Sequence, residues 1–220
     1  MIPDRAEYFR RWAGLHGGYD PTTGGRLVRW WLSGAYAVAA PLARAGVSPG
    51  AMTAVAVAVA YAVPALAAVD GSAAAWGAAA LAVASGFADN LDGAVAILRD
   101  RATRWGYVVD SVADRAADAA YLLAFWIAGG GAAVCVGAGA AIVLLEYTRA
   151  RAGNAGMGEI GVVTVGERPT RVIVTALSFA AAAVFRRYAG GLATVGAAAT
   201  PSVATPRGRP AEAPVSRGSG

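Results

Sequence analysis

A chain of 220 residues with 57% hydrophobic and only 15% charged side chains lies far from the balance of a soluble domain, and a polytopic membrane protein is the simplest class it fits. Its formal charge of +5 comes from basic residues gathered between apolar stretches and in the tail, which suits loops beside anionic lipid better than a nucleic-acid surface. The single cysteine, Cys135, excludes an intrachain disulfide, and the single histidine, His16, excludes a His-rich metal site and reads as a polar residue of the N-terminal segment.

Residues 1–25 read as a polar cytoplasmic segment, in which Asp20, Pro21 and the Gly24-Gly25 pair interrupt any long helix and no early apolar core resembles a signal peptide. In residues 26–45, Arg26, Arg29 and Arg44 surround Trp30, Trp31 and Tyr36. Basic and aromatic residues around a modest apolar face predict a helix at the membrane interface; a first span is the alternative, because Pro41 is tolerated in one. Val47-Ser48-Pro49 is a turn, and residues 51–69 form the first crossing, near the roughly 20 residues that a span requires. Asp70-Gly71-Ser72 returns the chain into a second crossing at 73–97. A third follows at 106–128, ended by Gly129-Gly130-Gly131, and a fourth at 132–147. A fifth begins at Arg168 or Pro169 and stops before Arg186-Arg187, whereas 188–200 is short for a sixth. The basic stretches holding Arg99, Arg101 and Arg104, and running from Arg149 to Arg171, fall on one side, predicted to be cytoplasmic. The expected fold is thus an all-α membrane bundle over residues 26–200, with an interfacial helix and five or six transmembrane helices, and a disordered tail at 201–220.

Within this apolar sequence lie Asp89, Asp92, Asp110, Asp114 and Asp118. An ionised side chain inside a membrane helix is costly and normally faces a partner, a metal or a water-filled cavity. Asp89 and Asp92 share a helical face at i,i+3, as do Asp110, Asp114 and Asp118 at successive i,i+4 steps, and a short turn joins the two helices. Gly93 and Gly106 beside the acids leave room for a ligand or a neighbouring backbone. Converging carboxylates repel unless a cation joins them, and with no thiolate or imidazole nearby the donor set favours Mg2+ or Mn2+ over zinc. A carboxylate–metal–phosphate site is the expectation. Asp118 is equally well read as the partner of Arg115 or another basic residue, and Asp100, between Arg99 and Arg101, as a solvated charge.

These residues resemble the CDP-alcohol phosphatidyltransferases, whose motif Asp-x-x-Asp-Gly-x-x-Ala-Arg is followed about eight residues later by Gly-x-x-x-Asp-x-x-x-Asp. Asp89, Asp92, Gly93, Ala96, Gly106, Asp110 and Asp114 stand at the matching positions, and Ile97 replaces the motif arginine. Ser48-Pro49 followed by Thr53 is similar to the family's Pro-Asn-x-x-Thr, with Gly50 for Asn. The segments from Glu146 to Ala152 and Glu167 to Arg171 are similar to basic segments that face the acceptor pocket.

The resemblance implies transfer of a phosphatidyl group from CDP-diacylglycerol to an alcohol, with release of CMP, in phospholipid synthesis. It implies Asp89, Asp92, Asp110 and Asp114 as ligands of two Mg2+ or Mn2+ ions, Asp114 as the base, and Gly93, Ala96 and Gly106 as the nucleotide site. Arg149, Arg168 and Arg171 would bind a phosphate on the acceptor, which points to inositol phosphate or glycerol phosphate, though loop charges beside lipid headgroups are an equal reading. Ile97 cannot make the charged contact expected of the motif arginine, so either Arg99 or Arg101 compensates or nucleotide affinity is reduced. The expected partners are these substrates and membrane lipid, with no nucleic acid, in a homodimer of a bacterial-type cell membrane. An intramembrane prenyltransferase, a catalytically silent lipid-binding relative and a cation transporter are the alternatives.

Overall fold

Seven helices make up the described part of the computed structural model, which covers residues 2–15, 18–23, 25–157 and 168–199, with side chains through Arg186 (Leu27 apart). His16, the segment 158–167 and the tail 201–220 lie outside it. The helices are α1 (Arg5–Leu15), α2 (Arg26–Arg44), α3 (Pro49–Ala67), α4 (Ser72–Leu98), α5 (Arg104–Ile127), α6 (Ala132–Asn154) and α7 (Arg168–Ala199). No strand occurs among the described residues, and the all-α membrane bundle expected from sequence is the observed class.

Local chemistry sets the helix ends. Ser48 caps α3, its Oγ accepting from the Ala51 amide at 3.2 Å, and Pro49 takes the first turn, where its missing N–H costs nothing. Thr103 caps α5 in the same way, accepting from the Gly106 amide at 2.9 Å. Gly129, at φ +104°, lets the chain turn off the end of α5 in a conformation that side chains disfavour.

Helix α4 is the centre of the bundle, packed against α2, α3 and α7. Small residues let the backbones approach: Ala60, Ala78, Ala82, Ala117, Ala120 and Ala124 are buried together with Val63, Tyr121 and Phe179. At Gly86 an added Cβ would stand 2.9 Å from Val172 Cγ1, so α4 and α7 meet there only because the side chain is absent. On the other side of α4, Leu32, Ala35, Ala39 and Ala43 of α2 bury against Leu91, Val95 and Leu98. Trp30 on the outer face of α2 is 70% exposed, as suits a helix lying along the bundle's edge. Helix α1 completes this corner by burying Tyr8 and Phe9.

Helices α3, α4, α6 and the Arg168–Arg186 part of α7 are long and apolar enough to cross a membrane. Helix α5 is of similar length, 24 residues, but carries Asp110, Asp114, Arg115 and Asp118. It nonetheless traverses the bundle: Ala128 just past its end lies beside Leu66, Val69 and Arg186 around a small cavity of about 50 Å³, opposite the acids. At that same end Ser72 Oγ donates to the Ala183 carbonyl at 2.8 Å. Arg168 sits among the acids, and the 15 helical steps from Arg168 to Ala183 cover about 23 Å. Residues 188–199, where a sixth crossing was in question, continue α7 as one helix.

Candidate active site

The short turn between α4 and α5 brings the acids together as their helical spacing requires. One carboxylate oxygen from each of Asp89, Asp92 and Asp110 lies within 4.8 Å of the others. That approaches the separation of oxygens sharing a small hard cation at about 2.1 Å. Thr53 of α3 orients the group, its hydroxyl donating to Asp92 Oδ2 at 2.6 Å. Asp89 Oδ1 is buried with no hydrogen-bond partner among the described residues, so one member of the cluster keeps an unsatisfied acceptor. Oxygen-only donors, an unsatisfied buried carboxylate oxygen and mutual repulsion together fit a divalent cation of the magnesium type.

Asp114, one turn further along α5, is engaged differently. Arg168 Nη1 pairs with Asp114 Oδ1, while Arg168 Nε lies 3.0 Å from Asp89 Oδ2, so this arginine bridges α4 and α5 from the first turn of α7. Arg115 Nη2 lies 3.6 Å from Asp114 Oδ2. Asp118 pairs with Arg115 at 3.1 Å and with Arg171 at 3.0 Å, which agrees with its reading as an arginine partner. Arg115, Arg149 and Arg171 in turn surround Glu146 of α6. All three arginines predicted for the acceptor therefore lie at the acidic end, each within ion-pair distance of a carboxylate.

Gly93, Ala96 and Gly106 also come together. They line a cavity of about 220 Å³ with Thr53, Asp92 and Asp110. A Cβ at Gly93 would meet nothing within 4 Å, so the glycine opens this space. Arg101 lines the same cavity, whereas Arg99 Nη1 donates to the carbonyls of Gly46 and Val47 at 2.5 and 2.6 Å and so braces the turn before α3. Ile97, in place of the motif arginine, is buried in the core shared with α2. Of the two arginines proposed to compensate for it, only Arg101 reaches the cavity.

A second opening of about 180 Å³ borders the same acids, lined by Asp89, Asn90, Asp92 and Asp110 together with Tyr8 and Trp12 of α1. Burial pushes the Tyr8 phenol up to about 12, which keeps it a neutral hydroxyl beside the carboxylates. Sequence reasoning missed this wall; the aromatic spacing of Tyr8, Phe9 and Trp12 was the available signal.

The model of the family described as CDP-alcohol phosphatidyltransferase matches residues 47–201, a range that contains every residue placed around the acids except those of α1 and α2. The archaetidylinositol phosphate synthase of Methanothermobacter thermautotrophicus is 40% identical over 98 residues, which cover 44% of this chain and 49% of that protein. The phosphatidylinositol phosphate synthase of Streptomyces avermitilis is 35% identical over 96 residues, covering 40% of this chain and 39% of that protein. Each match thus spans half or less of the relative's own length.

Proposed function

The chain belongs to the CDP-alcohol phosphatidyltransferase family, and from that membership we propose that it transfers the phospholipid moiety of a CDP-activated lipid such as CDP-diacylglycerol to a hydroxyl of an inositol phosphate, releasing CMP. The observation that carries this reading is the joining of two structures at one end of the bundle. A three-carboxylate cluster opens on a cavity at Gly93, Ala96 and Gly106, and beside it lie Arg115, Arg149, Arg168 and Arg171. The first suits a diphosphate bound with divalent cations, the second a phosphorylated acceptor. Both relatives are named as inositol phosphate synthases although their lipid parts differ, which supports inositol phosphate over glycerol phosphate as the acceptor.

In this reading Asp89, Asp92 and Asp110, with Asp114 at the margin, hold two Mg2+ or Mn2+ ions. When bound, these ions withdraw charge from the diphosphate and stabilise the leaving CMP oxygen. The acceptor hydroxyl loses its proton to Asp114 and its oxygen bonds to the lipid-side phosphorus. The bond from that phosphorus to the CMP oxygen breaks. Thr53 keeps Asp92 turned toward the cluster, and Gly93 and Ala96 leave room for the nucleotide. The topology that puts the arginine-rich ends of α4, α6 and α7 together supports a cytoplasmic site in an integral membrane protein. A homodimer would cover α6, which packs chiefly on α5 and leaves Val134, Val136, Val143 and Leu144 exposed.

The test is to incubate the purified protein with CDP-diacylglycerol, magnesium and a panel of inositol phosphate, glycerol phosphate, free inositol and serine. CMP release is expected with inositol phosphate and not with the unphosphorylated alcohols. A folded preparation that releases CMP with none of them sinks the reading. Arg101→Ala is expected to raise the KM for the CDP-lipid about tenfold or more, as loss of a phosphate-facing guanidinium does, with little change in the acceptor KM. An unchanged donor KM would leave the Ile97 substitution uncompensated.

A further inference from the structure

Glu146 lies just past the middle of α6, and its Oε1 is the meeting point of guanidinium groups from three helices. Arg115 Nη1 of α5 stands 3.4 Å away, Arg149 Nη1 of α6 3.7 Å and Arg171 Nη1 of α7 3.6 Å. A charge-assisted N–H···O bond closes to about 2.7–2.9 Å. All three separations exceed that, so the oxygen sits among the cations without closing on any of them. The mismatch has a simple origin: a single carboxylate oxygen cannot meet three planar forks arriving from three directions. A phosphate monoester can, because it carries three terminal oxygens and close to two negative charges.

The position is fixed independently of Glu146. Arg115 Nε donates to Asp118 Oδ2 at 3.1 Å, Arg171 Nε forms an ion pair with Asp118 Oδ1 at 3.0 Å without hydrogen-bond alignment, and the Asp118 side chain is only 5% exposed. Their Nη1 edges therefore stay turned toward the same point whether or not a carboxylate fills it. Glu146 is more loosely placed, with its side chain 31% exposed on a helix that rests chiefly on α5. Arg115 also lies 3.6 Å from Asp114, so an anion bound at this point sits one guanidinium away from the proposed base.

We infer that Glu146 Oε1 holds the place of a phosphate oxygen of the acceptor and is displaced by it when the acceptor binds. Glu146 is then a selectivity residue: a dianion outcompetes it for the three arginines, whereas a neutral alcohol leaves the carboxylate in its place among them. This rests on the acceptor being a phosphate monoester, as proposed above. The same chemistry is available from an anionic lipid headgroup, and the assay separates the two.

Glu146→Gln keeps the shape and removes the competing charge. CMP release is titrated with inositol phosphate in neutral detergent, and the acceptor KM is expected to fall about tenfold while the donor KM stays within about twofold. An unchanged or raised acceptor KM overturns the inference; absence of CMP release from the unaltered protein overturns instead the functional reading beneath it. A readout free of turnover is the shift in thermal unfolding midpoint produced by inorganic phosphate, expected to be larger in Glu146→Gln than in the unaltered chain, with an equal shift counting against the inference. Should that variant not fold, Glu146→Asp, which withdraws the carboxylate by one methylene, is expected to move both quantities in the same direction by less, and no movement overturns the inference. Repeating the titration with phosphatidylglycerol present assigns the source. A KM change seen only with the anionic lipid places a headgroup at the site and overturns the acceptor assignment.

Discussion

Asp114→Asn is expected to lower CMP release by about 10³-fold, within the range of a lost general base, while leaving most of the magnesium-dependent stabilisation of the protein in place. The separation follows from geometry. The tightest acidic group comprises Asp89, Asp92 and Asp110, and it does not require Asp114. Asp114 instead pairs with Arg168 and stands 3.6 Å from Arg115, at the boundary between the acids and the arginine cluster. That is where an acceptor hydroxyl must lie if its phosphate is among the arginines and the diphosphate is beside the three acids. Asparagine preserves the volume and an acceptor oxygen for Arg168, so the pairing survives in weaker form while proton transfer does not. Turnover close to that of the unaltered protein would remove Asp114 as the base. Loss of the magnesium-dependent shift would make it chiefly a metal ligand.

Much of this site is legible along one dimension. The i,i+3 and i,i+4 spacings put each set of acids on one helical face, and the short turn after Leu98 makes the faces converge; the described geometry agrees for Asp89, Asp92 and Asp110. The turn at Ser48-Pro49 was equally readable, because a capping serine before a proline is a local signal. Long-range pairings were not. Nothing in the sequence tells that Arg168 bridges Asp114 and Asp89, 54 and 79 positions away, or that Arg99 is consumed by the Gly46 and Val47 carbonyls and leaves Arg101 to the cavity. Helix α1 was hidden for another reason. Its charged residues dominate the composition of the N-terminal segment, yet Tyr8 and Phe9 on one face bury themselves and bring Trp12 to the acids. Likewise the arginines near 186 suggested an end to the last crossing, but an exposed charge at a bundle's edge does not break a helix, and α7 runs on to Ala199.

Asp110→Asn and Asp89→Asn should both abolish turnover, but only Asp89→Asn should lower the stability of the metal-free protein. Asp110 takes part in no salt bridge among the described residues and faces Asp89 and Asp92 across the cluster. Without a cation it is a buried carboxylate facing two others, and Arg168 and Arg115 attract it only from beyond pairing distance, so replacing it with asparagine is expected to leave the unfolding midpoint in chelator unchanged or raised. Asp89, by contrast, holds Arg168 Nε at 3.0 Å, and Arg168 is itself largely buried. Removing that carboxylate leaves a guanidinium partly uncompensated, and breaking one side of a buried pair costs about 3–5 kcal/mol in well-packed cases, so the midpoint in chelator should fall. In both variants the stabilisation expected from magnesium in the unaltered protein, about 2.7 kcal/mol at a hundredfold excess over Kd, should be lost. The measurement is thermal unfolding in detergent, with chelator and with magnesium, beside CMP release. If Asp110→Asn keeps the full magnesium shift, the three-carboxylate cluster is not the metal site. If the two variants lose stability equally in chelator, Arg168 is not held by Asp89 in the working protein.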